Sequence, residues 1–293
     1  MNSGHHYISR QSHLAACGGN ISPGNEKLGV GMKKAKVITS MALALGVMAA
    51  PAAALATLNG STTPGSPFTL CRTQGTIPDG RYMVNNNNFA GKPECLTGRH
   101  GIPGFRVSES DATSRSPGSD AFPDIFSGCS WGICSPHSWL PDKAAALGNP
   151  KTTWHSVERA RGTWGAGYDT FFDPRPRHDG QAAAEMMIWL NSRNAYNPAG
   201  KGWPVARLDG ARWYVLTWET SNGHQRWRYV QFRRYTPTWN VTNLALGPFV
   251  VYLKTHDWIR PNWYLLNVEA GFEIWNGGTG LAAKSFSVTL QPS

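Results

Sequence analysis

Short runs in which every second residue is apolar follow one another along this sequence, cut apart by Gly, Pro and Asn, and sustained helical spacing is nearly absent. Successive side chains of a strand point to opposite faces, so a period of two marks strands with one face buried. Many such strands in series predict an all-β fold, two antiparallel sheets packed as a sandwich. Strands are expected at 82–86, 165–172, 183–190, 212–219, 226–233, 264–275 and 284–290. Turns are expected at Asn197-Pro198-Ala199-Gly200, Leu208-Asp209-Gly210, Ser221-Asn222-Gly223 and Asn276-Gly277-Gly278. One helix is expected over roughly 243–257, where Leu244, Leu246, Phe249, Val250 and Leu253 approximate a helical stripe, although Gly247 and Pro248 oppose it.

The first 56 residues stand outside this pattern. Lys33, Lys34 and Lys36 precede an apolar run from Val37 to about Ala50, followed by small-residue cleavage signatures at Ala52-Ala53-Ala54 and Ala54-Leu55-Ala56. That is the layout of a secretory signal peptide over 32–56. The apolar part is shorter and richer in alanine than the span of about 20 residues that a membrane helix needs. Residues 1–31 are polar and aperiodic, so Met32 is the expected start and 1–31 an upstream extension. The expected mature protein is 57–293, a length that a single all-β domain often takes, and it is expected outside the cell.

The formal charge of +10 includes +4 from the leader, where Arg10, Lys27, Lys33, Lys34 and Lys36 outweigh Glu26; the mature part carries +6. Apart from a small cluster between Arg226 and Arg234 the basic residues are scattered. No nucleic-acid-binding motif accompanies them, so a soluble monomer with neither a nucleic-acid nor a membrane partner is expected. Cys17 lies in the leader, which leaves Cys71, Cys95, Cys129 and Cys134. An even number in a secreted chain suggests two disulfides. Three pairings are possible, and the local one, Cys71 with Cys95 and Cys129 with Cys134, is preferred. Neither the cysteines nor the dispersed histidines show metal-ligand spacing, so no metal is expected.

Two strands carry the candidate chemistry. In AAEMMIWL (183–190) one face shows Ala184, Met186, Ile188 and Leu190, suited to a core; the other shows Ala183, Glu185, Met187 and Trp189. In VEAGFEIW (268–275) Val268, Ala270, Phe272 and Ile274 make a core face, while Glu269, Gly271, Glu273 and Trp275 share the opposite one. A carboxylate on an otherwise apolar strand is costly to desolvate unless something requires it. Gly271 is expected to leave open space before Glu273 for a ligand. Paired carboxylates among aromatic rings suit glycoside hydrolysis: one acid protonates the leaving oxygen, the other attacks or activates water, and aromatic faces pack on sugar rings. Each Glu alone reads equally as a solvent-facing strand residue; the repetition favours the site. Asp169, in Gly167-Tyr168-Asp169-Thr170-Phe171, is a third acid that could support a nucleophile, but by spacing alone it reads as a residue that ends a strand or starts a turn.

These residues resemble glycoside hydrolase family 12, through DIFSGCSWGICSP (124–136), GYDTFFDP (167–174), EMMIWLN (185–191) and NWYLLNVEAGFEIWNGGTGLAAKSFSV (262–288). The resemblance runs from about Cys71 to Leu290. It implies a β-jelly roll with an open cleft for an extended β-glucan, a retaining mechanism and no cofactor. Glu185 would be the nucleophile, Glu273 the acid/base and Asp169 the nucleophile's support. The two carboxylates of such a pair would lie about 5–5.5 Å apart. Asn86, Phe89, Trp131, Met187, Trp189 and Trp275 are the candidate substrate-binding residues. Phe89 stands where the family pattern has Trp, a smaller platform, and Glu269 where Gln is commoner. Asn86 reads as a sugar ligand or a turn residue, and Trp131 as a cleft or core residue. The resemblance leads to an endo-β-1,4-glucanase. A xyloglucanase, and a non-catalytic lectin-like jelly roll, are the alternatives.

Overall fold

A computed structural model of the chain describes residues 63–71, 74–115, 118–221 and 225–289. The expected extension 1–31 and signal peptide 32–56 lie outside these residues. No helix among them is long and apolar enough to cross a membrane.

The fold is almost entirely strand. The first third holds β1 (Pro67–Leu70), β2 (Gln74–Asp79), β3 (Tyr82–Asn87), β4 (Glu94–Arg99), β5 (Ile102–Ser110) and β6 (Ala112–Thr113). Next come β7 (Asp124–Ser130), β8 (Ile133–Cys134), β9 (Asp142–Lys143), β10 (Lys151–Val157), β11 (Gly162–Asp173) and β12 (Ala184–Arg193). The last third holds β13 (Val205–Leu208), β14 (Ala211–Ser221), β15 (Arg226–Arg234), β16 (Asn240–Ala245), helix α1 (Gly247–Thr255), β17 (Tyr264–Leu265), β18 (Asn267–Gly277) and β19 (Ala282–Thr289).

They form two sheets. The smaller runs β1-β4-β5-β19-β10-β16; the larger runs β13-β14-β15-β12-β11-β18-β7-β3-β2, with short strands attached at its margins. Neighbours in the larger sheet are antiparallel except β12 and β15, which run parallel. One apolar core lies between the sheets, and its aromatic contacts cross from one to the other: Trp154 of β10 meets Tyr168 at 5.8 Å and Phe272 at 5.3 Å, and Tyr82 of β3 meets Phe286 of β19 at 5.0 Å. This is the expected β-jelly roll. The preferred disulfide pairing is also present, Cys71 to Cys95 and Cys129 to Cys134.

The helix begins later than expected. Residues 240–245 form β16 against β10, and the helix starts only at Gly247 with Pro248 in its first turn. Proline there is favourable, since its missing N–H belongs to a turn whose N–H groups have no helical partner. Phe249, Val250 and Leu253 are buried, and Phe249 lies 5.1 Å from both Trp213 and Phe232. The expected strand 264–275 is two, β17 and β18, with Leu266 between them donating its N–H to the Phe171 carbonyl.

Candidate active site

The larger sheet has one face on the core and one facing away from it, and alternation along its central strands sorts the residues between them. On β12, Ala184, Met186, Ile188 and Leu190 join the core, so Glu185, Met187 and Trp189 face outward. On β18, Val268, Ala270, Phe272 and Ile274 join the core, so Glu269, Glu273 and Trp275 face outward. Between these strands, β11 places Asp169 level with Met187 on one side and with Glu269 on the other. Glu185 is level with Phe171, and Glu273 with Gly165. The expected acids, Glu185, Glu273 and Asp169, thus share one face of three adjacent strands. Asp124 of β7, level with Gly271, adds a fifth carboxylate to this face beside Glu269.

The donors differ from one acid to the next. Trp227 Nε1 donates to Glu185 Oε2 at 2.7 Å, and Glu185 is only 2% exposed. Ser119 Oγ donates to Glu273 Oε1 at 3.2 Å. Asn267 donates to Glu269 at 2.7 Å and Asn85 to Asp124 at 3.0 Å. Burial disfavours the charged form of all five acids. It lifts Glu185 to about 8, against the pull of the Trp227 hydrogen bond and with the added push of the charges on Glu273 and Glu269. It lifts Glu273 to about 7, opposed by the Arg233 guanidinium and by Ser119. Glu269 also rises to about 7 through burial. Asp169 is raised well above the usual range by burial and then by Glu185, Glu269 and Glu273; Asp124 is raised by burial and then by Glu269. Burial and mutual repulsion thus shift all five acids toward their protonated forms near neutral pH.

An aromatic layer lies beside the acids. Met187, Trp189, Trp275, Phe122 and Tyr229 pack together, with Phe89 against them. Trp189 and Trp275 meet edge to face at 6.0 Å. Gly165 is required here: a Cβ on it would lie 2.3 Å from the Trp189 indole. Trp131 sits half-buried in the turn closed by the Cys129–Cys134 bridge and lines a recess with Phe171, the strand partner of Glu185.

Two expectations need correction. Asn86 does not reach this face. It points to the core side of β3, is 0% exposed, and donates through Nδ2 to the carbonyls of Leu70 and Glu94. Its neighbour Asn85 takes the outward position. Gly271 does not leave room for a ligand either, because a Cβ there would lie 2.4 Å from the Pro123 carbonyl and 2.8 Å from Asp124 Cβ. Its role is close packing of β18 on β7.

Strand β15 supplies residues that the sequence reading passed over. Val230 and Phe232 belong to the core, which turns Trp227, Tyr229, Gln231 and Arg233 to the outward face. Tyr229 donates to Met187 Sδ at 2.9 Å and stacks on Trp218 at 4.3 Å; Gln231 donates to Tyr229 Oη at 2.9 Å. The Arg233 guanidinium lies 4.0 Å over the Trp189 ring. The segment was expected as a strand, so alternation from Val230 and Phe232 was the signal available. Among the described residues, Cys129, Cys134 and His178 approach one another closely enough to share an ion, but the two sulfurs are already bonded to each other.

Sheet-borne acids in an aromatic setting on a two-sheet jelly roll define a sugar-cleaving class of site. Within that class the chain belongs to Glycosyl hydrolase family 12, whose sequence profile it matches over residues 80–291, and it is a glycoside hydrolase. A probable cellulase, Cel12b of Mycobacterium tuberculosis, is 33% identical over 152 residues, 52% of this chain and 97% of the relative. Endoglucanase S of Pectobacterium parmentieri is 30% identical over 162 residues, 54% of this chain and 61% of its own. Among solved structures, endoglucanase cel12A of Rhodothermus marinus superposes with a TM-score of 0.70 at 34% identity, covering 77% of this chain and all of that one. A family 12 xyloglucanase of Bacillus licheniformis shares the fold, with a TM-score of 0.67 at 22% identity over 77% of this chain and all of that one.

Proposed function

We propose that this chain is a secreted, monomeric endo-β-1,4-glucanase that cleaves internal bonds of cellulose-like or mixed-linkage glucan by double displacement with retention. The observation that carries the reading is the placement of Glu185 and Glu273 on one sheet face, close enough that the charge on Glu273 raises the pKa of Glu185. Glu185 attacks the anomeric carbon while Glu273 gives its proton to the departing glycosidic oxygen. A glycosyl ester on Glu185 results. Glu273, now a carboxylate, takes a proton from water as the water oxygen attacks the same carbon, and Glu185 is released. Asp169, whose carboxyl burial and its charged neighbours push well above the usual range, supports Glu185. Trp189 and Trp275, 2% and 7% exposed, pack the wall beside the acids, with the Arg233 guanidinium over the Trp189 ring.

The roles of the two acids stand in reverse order to their proton affinities, about 8 for Glu185 and about 7 for Glu273. Two features favour Glu185 as the nucleophile all the same. It occupies the Glu-x-Met-Ile-Trp position of the family pattern, and an indole N–H at 2.7 Å favours its carboxylate form. Secretion is supported by the leader-like segment 32–56 and by the two disulfides, which persist in oxidising compartments. The test is reducing-sugar release by residues 57–293 from carboxymethyl-cellulose, barley mixed-linkage glucan and tamarind xyloglucan, with Glu185→Gln as control. Release from the first two that disappears in the variant supports the reading. A ranking led by xyloglucan moves the assignment to xyloglucanase. No release by folded protein removes the glucanase reading.

A further inference from the structure

We propose that the outer face of the smaller sheet binds a uronate-bearing polysaccharide, on the side of the sandwich away from the acids. Leu96, Phe105, Val107 and Ala283 point into the core, which turns Arg106 and Lys284 outward. A groove of about 410 Å³ crosses this face. Arg99 of β4, Arg106 of β5 and Lys284 of β19 line it, all exposed and on three neighbouring strands. No carboxylate lines the groove, and among the described residues none of these cations is in an ion pair. The cations point apart. Arg99 Nη1 donates to the Gly65 carbonyl at 2.8 Å, and the Gly65 N–H is bonded to the His100 carbonyl, which holds this guanidinium at one end. The Arg106 guanidinium lies beside Gly280, whose N–H is bonded to the Val107 carbonyl, at the other end. Lys284 stands between them, beside Gly104.

The lining selects among anions. Cations held at opposite ends of a groove suit a chain with a charge on each ring better than one small anion. A guanidinium pairs with a carboxylate through two parallel N–H donors. Ile102, 51% exposed, and Pro67 offer apolar contact to the C–H faces of the rings. Single-stranded nucleic acid is held by stacking on aromatic side chains, and Phe105, the aromatic residue of this lining, is 3% exposed. An anionic membrane draws clusters of about 4–8 basic residues, more than the groove has. A stable protein interface has an aromatic-rich centre, and Ile102 is the one large apolar side chain that the groove exposes. Because the acids lie on the opposite face of the sandwich, an acidic chain bound here leaves them open to a second, neutral chain.

The test is calorimetric titration of the protein with polygalacturonate at physiological ionic strength, with the fully methyl-esterified polymer as its neutral counterpart. The wild type should bind the first and not the second. Arg106→Gln/Lys284→Gln should weaken binding roughly five- to tenfold, the scale of two exposed charge contacts, with melting temperature and reducing-sugar release from barley glucan unchanged. Lys201→Gln/Arg207→Gln removes the same charge from exposed positions at β13, and should weaken binding by no more than about twofold, since salt screens distant charges. Equal loss in the two double variants reduces the effect to net charge and overturns the groove. A wild type that does not bind polygalacturonate, or that binds the ester equally well, also overturns it. Tighter binding of a single-stranded oligonucleotide or of phosphatidylserine vesicles, lost in Arg106→Gln/Lys284→Gln, overturns the polysaccharide as occupant. Binding is read here without turnover, so a failure to cleave glucan removes the glucanase reading and leaves this one standing.

Discussion

Glu185 and Met186 are neighbours on one strand, and they sit in different media. Met186 faces the core between the sheets, where every partner is apolar and close packing decides what is tolerated. Glu185 faces a layer of indoles, a thioether, a phenol and four other carboxylates, where each charge alters its neighbours. Both side chains are almost fully buried. Burial alone therefore does not separate scaffold from chemistry. The partners do: one face holds the sheet in place, and the other keeps acids out of water, so that their protons stay available near neutral pH.

The strongest way to break this comparison is to change the two neighbours separately. Glu185→Gln keeps the shape and removes the nucleophile. Its turnover should fall by about 10³-fold or more, while the melting temperature at pH 8 stays level or rises, because a buried acid has been replaced by a neutral group. Met186→Ala should do the opposite. It should lose roughly 2–5 kcal/mol of stability through the cavity it leaves, measured by denaturant unfolding, with turnover per folded molecule nearly unchanged. Equal effects on both quantities in both variants would erase the division between the faces.

Glu94 extends the comparison to a buried acid on the smaller sheet. Burial raises it from 4.5 to about 8, with a hydrogen bond from Ser110 opposing, and its Oε1 has no partner. The raised value fixes the sign. The unfolded chain releases this proton near pH 4.5 and the folded chain only near pH 8, so the stability that it contributes is complete below about pH 4.5 and is lost as pH rises toward 8. Glu185, Glu269 and Glu273 act in the same direction. Glu94→Gln should therefore flatten the fall in stability between pH 5 and pH 8 by roughly 3–5 kcal/mol, as chemical denaturation at a series of pH values would measure, without moving the pH profile of catalysis. A shift of that profile would place Glu94 among the acids of the site.

How much of this was legible in the sequence depended on contrast within each strand. The long central strands β11, β12, β14, β15 and β18 show clear apolar alternation and were read close to their true bounds. Strand β7 escaped because Ser127 and Gly128 cut short the apolar pair Ile125-Phe126, which leaves too short a run to detect. The first strands escaped because Pro67, Pro78, Pro103, Gly98 and Gly104 read as breaks. Within the site, Glu185 and Glu273 stood out as acids on apolar strands, whereas Asp169 was reached only through the family resemblance. Asn86 was misplaced by one residue in a run of four asparagines that carries no contrast, where a one-residue slip exchanges the faces. Counting on from Tyr82 and Val84 puts it inside. Arg233 and Trp227 were hidden by the charge of Arg226, Arg228 and Arg234 around them, which reads as a solvated surface.

The smallest expected effect tests whether β15 tunes the acid beside it or only packs against it. Trp227 Nε1 donates a hydrogen bond to Glu185 Oε2 at 2.7 Å. Trp227→Phe keeps a buried ring and removes the N–H. The ionised nucleophile loses a charge-assisted bond, so its pKa should rise by about one unit, the worth of such a bond. Because Glu185 holds its proton more tightly than Glu273, the basic limb of kcat/KM should move to higher pH by the same amount, and activity near pH 6 should fall about tenfold. Trp227→His, which can restore a donor, should recover part of the shift. A drop in rate with both limbs unmoved would instead make Trp227 a packing residue, and the charge on Glu185 would then be set by the neighbouring acids, Asp169 among them. That distinction matters for the whole face, because it decides whether the carboxylate group is ordered by fixed donors on β15 or by the sharing of protons among the acids themselves.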